Sequence, residues 1–201
     1  MRIAVSGTHS LGKSTFVWDF IKAYPDYIRE EEPYRALRDN YDIKFGKDST
    51  RFCNGIQLYQ NISRVKQYCK PTDKVIFDRS PVDYIAYSLY TEHYQKTDLD
   101  KKFVESLIEP VKEALAFIDL LVFVSINDKH PVAIEDDGIR PVDESYRREV
   151  DDFFKQIYFE NKFGLLSIKN PPILMELWGA REERIRKISQ WIAMIPMKQR
   201  N

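Results

Sequence analysis

Residues 7–15 read GTHSLGKST, and the apolar run RIAVS leads straight into them. That succession constrains the fold more than any other feature of the chain. Gly7, Gly12, Lys13 and Ser14 make the pattern G-x-x-x-x-G-K-[ST]. Glycines let successive backbone N–H groups curl round an anion, and a helix that opens inside the loop adds the partial positive charge of its N-terminus. Strand, glycine loop and helix in that order form a cradle for phosphates. In such a cradle the lysine reaches the β- and γ-phosphates of a nucleoside triphosphate, and the hydroxyl holds Mg²⁺. The expected nucleotide-binding stretch is therefore Gly7, Thr8, His9, Ser10, Leu11, Gly12, Lys13, Ser14 and Thr15, with ATP as donor and Mg²⁺ as metal. His9 occupies a position open to almost any residue and is assigned no chemistry.

Apolar runs alternate with helical patterns along the rest of the chain. This predicts an α/β fold, a P-loop three-layer sandwich with a five-stranded, mostly parallel sheet flanked by helices. The strands are expected at Ile3–Ser6, Tyr27–Glu31, Lys74–Phe77, the run IDLLVFVSI (118–126) and ILMEL (173–177), with LLSI (165–168) competing for the last place. The fourth run is apolar enough to be central and covered on both faces. Helices are expected over Lys13–Ala23, 50–69, two segments ending at Phe117 (the second from near Leu99), Glu144–Glu160 and Arg181–Ile195. A lid is expected over about residues 127–148, within one domain covering 1–201.

Charge and length exclude several classes. Lys plus Arg number 31 and Asp plus Glu number 31, which argues against a partner bound mainly through nucleic-acid phosphates. Cys53 and Cys69 have no metal-ligand or redox spacing and are expected to be thiols. No apolar stretch approaches the ~20 residues of a membrane helix. With no basic, apolar leader visible, a cytoplasmic protein without a membrane partner is the expectation. The oligomeric state stays open, a homo-oligomer included.

The fate of the phosphates is narrowed by the strings that follow. A switch GTPase needs N-K-x-D and D-x-x-G after the third strand, and neither occurs. A motor ATPase places a glutamate directly after the acidic residue of its second phosphate motif, whereas KVIFD is followed by Arg79. An arginine there suits gripping an acceptor beside a transferring phosphoryl group. REEEPY (29–34) sets Glu31 and Glu32 near the carboxyl ends of the strands, where open α/β sheets bind ligands. A carboxylate there would take the proton of an acceptor hydroxyl. In DDGIR, Gly138 supplies a flexible point and Arg140 a cation for a closing segment, with Arg147 and Arg148 on the following helix. Only one of those last two is expected to face the site.

GTHSLGKST, EEP, VIFDRSPVDYIAYS, DDGIR and GAREERIRKI, in that order, resemble the P-loop kinase-like family that includes the ribosylnicotinamide kinase domain of bacterial NAD-biosynthesis regulators. The DRS and EEP elements are also similar to deoxynucleoside kinases. The resemblance implies a phosphotransferase that moves the γ-phosphoryl of ATP to a hydroxyl of a nucleoside-like small molecule. It implies Asp78 at the metal or acceptor hydroxyl, Arg79 at the acceptor, Glu32 as the carboxylate before a proline, and Arg140 with Arg147 on the lid. It also implies Gln57 and Gln60 on the helix that holds the acceptor base. Tyr34, Tyr59 and Tyr84 are candidates for stacking on an acceptor ring, or half-buried core aromatics. Two alternatives remain. A nucleotide or polynucleotide 5′-kinase would draw on Lys44, Lys47 and Arg51 for the acceptor phosphate. A nucleotide-binding regulatory ATPase would act through a protein or lipid partner.

Overall fold

The computed structural model describes residues 1–38, 40–134 and 142–194. Asp137, Gly138 and Arg140, the centre of the expected lid, lie outside them. Strand β1 is Arg2–Ser6, β2 Ile28–Glu30, β3 Val75–Asp78, β4 Leu120–Val124 and β5 Ile173–Leu177. They form one sheet in the order β2-β3-β1-β4-β5, with every pair parallel. β1 and β4 are buried along their whole length, as their apolar runs predict. Alternation divides them between two cores. Ile3, Val5, Leu120, Val122 and Val124 pack with Phe16, Phe20 and Ile188 of the helices Lys13–Ala23 (α1) and Arg181–Met194 (α8). Ala4, Leu121 and Phe123 face the other way, toward the remaining long helices.

Two sequence expectations shift, and the choice of ILMEL for the last strand holds. β2 ends at Glu30 because Glu32 caps a five-residue helix, Pro33–Leu37 (α2), with Pro33 at its first position. That helix was not anticipated. The helix expected from near Leu99 is two, Lys101–Ser106 (α5) and Ile108–Leu115 (α6). Pro110 lacks the N–H that would bond the Ser106 carbonyl, and its ring crowds that group. LLSI is not a strand; it follows a 3₁₀ turn at Lys162–Gly164, and ILMEL takes the edge beside β4.

The other helices stand where expected: Arg51–Gln67 (α3), Pro81–Tyr94 (α4) and Glu144–Tyr158 (α7). Thr50 caps α3 by accepting from the Cys53 N–H at 3.1 Å. Ser80 and Asp83 form a reciprocal capping box on α4, with Pro81 at N1. The chain reverses its direction of travel at β1, whose neighbours are β3 and β4. All strands are parallel, so the crevice for a ligand opens beyond the carboxyl ends of β1, β3 and β4. Among the described residues no helix is long and apolar enough to cross a membrane.

Candidate active site

β1 delivers its last residue, Ser6, into the phosphate loop. Gly7 stands at φ 135°, and a Cβ there would lie 2.4 Å from the Val124 carbonyl oxygen. Only glycine lets the loop cross the end of β4 so closely. Gly12, at φ 74°, is the N-cap of α1 and brings no side-chain oxygen to it. The N-cap residue thus leaves the first-turn N–H groups of α1 uncapped by a side chain of its own, which suits a helix end that receives an anion. Lys13 is buried and donates to the Thr8 carbonyl.

β3 ends in the second half of the site. Asp78 is buried, hydrogen-bonded to the Ser14 hydroxyl, and its Oδ1 has no hydrogen-bond partner among the described residues. Burial raises its pKa and the charge of Glu32 adds to this, against the Ser14 hydrogen bond and the cations Arg79 and Lys13. A buried carboxylate oxygen without a partner, beside a serine at the head of the helix, fits Mg²⁺, which takes one or two protein oxygens and completes its shell with phosphates and water. Among the described residues no cluster of three or more His, Cys, Asp or Glu would hold a metal by itself. Ser14 and Asp78 would therefore hold it together with the nucleotide.

Arg79 follows at φ 115°, a backbone conformation that costs a side-chain-bearing residue energy. Its environment fixes it there. The guanidinium Nε donates to Glu32 at 2.8 Å, and Nη1 donates to the Gly7 carbonyl at 2.9 Å and to Asp83 at 3.0 Å. Burial disfavours its charge, and the oxygens of Tyr87, Glu32 and Asp83 outweigh that and keep it charged. Asp83 is held in turn: its Oδ1 accepts from the Ser6 hydroxyl at 2.6 Å, and Ser6 shares a hydrogen bond with Tyr158. Asp83 was missed at the level of sequence, although the S-x-x-D spacing of its capping box is visible there.

Arg79 and Glu32 help line a cavity of about 30 Å³, with Phe45, Asn54, Gln57, Tyr84, Tyr87 and Tyr146 around it. That is space for about two waters. Its walls are largely aromatic, with a few polar groups set among them: Ser49 donates to Asn54 at 2.8 Å, Asn54 to Ser88 at 3.0 Å, and the buried Tyr84 hydroxyl has no partner among the described residues. His9 and Tyr146 pack with ring centroids 4.7 Å apart and planes tilted by 31°, joining the phosphate loop to the first turn of α7.

Several sequence candidates lie elsewhere. Glu31 is exposed and pairs with Arg29, because the backbone alternates at the end of β2 and turns Glu32 inward instead. Gln60 is three residues beyond Gln57 on α3 and borders a surface cleft with Arg29 and Arg64 rather than the cavity. Tyr34 meets Phe45 edge-on at 4.8 Å, behind the cavity wall, and Tyr59 is exposed. Arg147 is buried and donates to the carbonyls of Ser10, at 3.4 Å, and Val132, at 2.8 Å. Arg148 is exposed and pairs with Asp128 and Glu144.

On the opposite flank of the loop lies an open groove of about 470 Å³. Leu11, Gly12 and Thr15 form its floor, Val132 one side, and Gly179, Ala180 and Arg184 the other.

A phosphate loop on β1, an acidic-arginine pair after β3 and the 2-3-1-4-5 parallel order together define a P-loop fold of the nucleoside and nucleotide kinase type. The chain belongs to the AAA domain family, which matches residues 2–172. No curated protein matches it in sequence. It is similar in structure to deoxyadenosine kinase from M. mycoides, at TM-score 0.68 and 18% identity over 97% of this chain and 100% of that one. NadR protein in complex with NR is also similar, at TM-score 0.65 and 16% identity, over 96% of this chain and 52% of that chain. Thymidylate kinase from Candida albicans matches at TM-score 0.63 and 12% identity, over 100% and 93%.

Proposed function

We propose that this chain is an ATP- and Mg²⁺-dependent kinase that phosphorylates a hydroxyl of a nucleoside or nucleoside-like molecule. The observation that carries this reading is the Glu32–Arg79 pair, which stands between the phosphate loop and a cavity walled by aromatic rings and a few polar side chains. The acceptor occupies the cavity and ATP lies along the loop, with its nucleoside end in the groove beside Gly179 and Arg184. The bond from the γ-phosphorus to the β–γ bridging oxygen breaks, and a bond to the acceptor oxygen forms. The acceptor proton passes to Glu32, which its contact with Arg79 holds in place. Asp78 and Ser14 would hold Mg²⁺, which when bound would supply positive charge to the phosphates. Lys13 leaves the Thr8 carbonyl for the phosphate oxygens. Arg140, with Arg147, would close over the transferring group, so Arg140→Ala should lower kcat by roughly a hundredfold while ATP binding changes little.

A nucleoside fills far more than the cavity's present volume, so binding requires its lining to move apart; Tyr146 of that lining packs against Tyr87, Tyr90 and His9. The nucleotide-kinase alternative loses support from the cations it needs. Lys44 pairs with Asp42, Lys47 lies over the Tyr94 ring, and Arg51 pairs with Asp100. Among the described residues Arg79 is the one Lys or Arg that lines the cavity, and two carboxylates already neutralise it. The test is a phosphotransfer screen with labelled ATP over nucleosides, nicotinamide riboside, nucleotides and oligonucleotides. Label on a nucleoside hydroxyl is expected; label only on nucleotides or oligonucleotides would replace this acceptor class, and release only as phosphate would favour the regulatory ATPase.

A further inference from the structure

The carbonyls of the phosphate loop carry a pattern of their own. Gly7 accepts from Arg79, Thr8 from Lys13, Ser10 from Arg147 and Leu11 from Arg184. Before any ligand arrives, four loop carbonyls are thus held by four cationic side chains, from the turn after β3 and from α1, α7 and α8. Across a trans peptide the carbonyl and the next N–H point in opposite directions. A cation that draws a carbonyl outward therefore turns the following N–H to the other side of the loop, and it polarises that N–H into a stronger donor.

Arg184 stands apart within this collar. It is buried, its Nη1 donates to the Leu11 carbonyl at 2.7 Å and its Nε to the Gly179 carbonyl at 2.9 Å. A Cβ at Gly12 would lie 3.4 Å from its Nη1, so the guanidinium packs directly on the loop backbone. Its partners are neutral. Burial pulls its pKa down, and no carboxylate among the described residues counters that. A buried guanidinium without a counter-charge costs stability, and a neutral donor would serve two carbonyls at lower cost. The charge therefore has work other than folding.

We infer that Arg184 is a positioning residue for the triphosphate: it fixes the Leu11–Gly12 peptide with its N–H turned toward the phosphates and supplies positive charge at that end of the groove. This rests on the loop being a nucleotide cradle, as proposed above. The charge of a bound triphosphate then completes what the protein leaves uncompensated.

Titration calorimetry with Mg-ATP and with sodium tripolyphosphate, which has phosphates and no nucleoside, tests the inference on the full chain. Arg184→Met should weaken both ligands by roughly tenfold or more, the worth of a charge-assisted hydrogen bond. Its Tm should stay level or rise, a combination that a merely structural arginine would not produce. Arg184→Lys keeps the charge but cannot span two carbonyls, and should bind both ligands with intermediate affinity. Lys187→Ala removes a cation from the same helix without touching the loop, and should bind like the wild type. Unchanged tripolyphosphate affinity in Arg184→Met, or in Arg184→Lys if the first variant does not fold, overturns the inference. Weakening confined to ATP would also overturn it, because it would move the contact to the nucleoside. If the wild type binds neither ligand, the nucleotide reading itself falls; if it binds both and the variants match it, only the role of Arg184 falls.

Discussion

Arg79 and Arg184 lie on opposite flanks of the phosphate loop, are equally buried, and each donates to a loop carbonyl. Arg79 meets two carboxylates, Glu32 and Asp83, whereas among the described residues Arg184 donates to carbonyl oxygens and meets no carboxylate. The acceptor flank is therefore closed electrostatically before any ligand arrives, with its strained backbone held by a network reaching Ser6 and Tyr158. The donor flank keeps a positive charge unbalanced and opens onto a wide groove. The difference fits two ligands of different character: a triphosphate brings several negative charges, and a nucleoside brings none.

The largest expected effect comes from breaking the balanced side. Arg79→Ala leaves Glu32 and Asp83 buried against each other's charge, which should cost about 3–5 kcal/mol. At roughly 2–4 °C per kcal/mol in a chain of this size, Tm should fall by about 10 °C, and phosphotransfer should vanish. Arg184→Met, by contrast, should leave Tm level or higher; equal losses in the two variants would erase the distinction between the flanks. Next in size, Glu32→Gln keeps an oxygen for Arg79 and loses the proton acceptor. Its kcat should drop by about 10²–10⁴-fold, with ATP affinity unchanged in calorimetry.

The smallest effect concerns stability at Asp78. Its pKa is raised in the folded protein, chiefly by burial, so the native state holds that proton to higher pH than the unfolded chain does. Stability should therefore fall as pH climbs from the ordinary carboxylate range through the raised value, then level off. Asp78→Asn should remove that slope and raise Tm at neutral pH, by roughly 2–4 °C for each kcal/mol relieved, while turnover is lost. A lower Tm would mean that the carboxylate is stabilised where it stands.

What the sequence made legible was local. The phosphate loop, the five strand runs, Glu32 before Pro33, and Asp78-Arg79 at the end of an apolar run are each a short string with its physical reason in place. Residues that depend on distant elements meeting were not legible. Arg184 lies 173 positions from Leu11, and Ser6 lies 77 from Asp83. Tyr146 reaches the cavity lining only because α7 packs on α4. Gln60 and Tyr34 were drawn from the right elements, but one step round a helix or one layer behind a wall is beyond what spacing resolves.

The central claim is that the Glu32–Arg79 pair hands a phosphoryl group to an acceptor hydroxyl rather than to water. It is tested most directly by following γ-labelled ATP with the wild type and with Glu32→Gln, each with and without the nucleoside found by the screen. The account predicts that the wild type places label on the nucleoside far faster than it releases phosphate without one. Glu32→Gln should lose that transfer while still binding ATP. Phosphate release that is fast, indifferent to every acceptor, and unchanged in Glu32→Gln would contradict it.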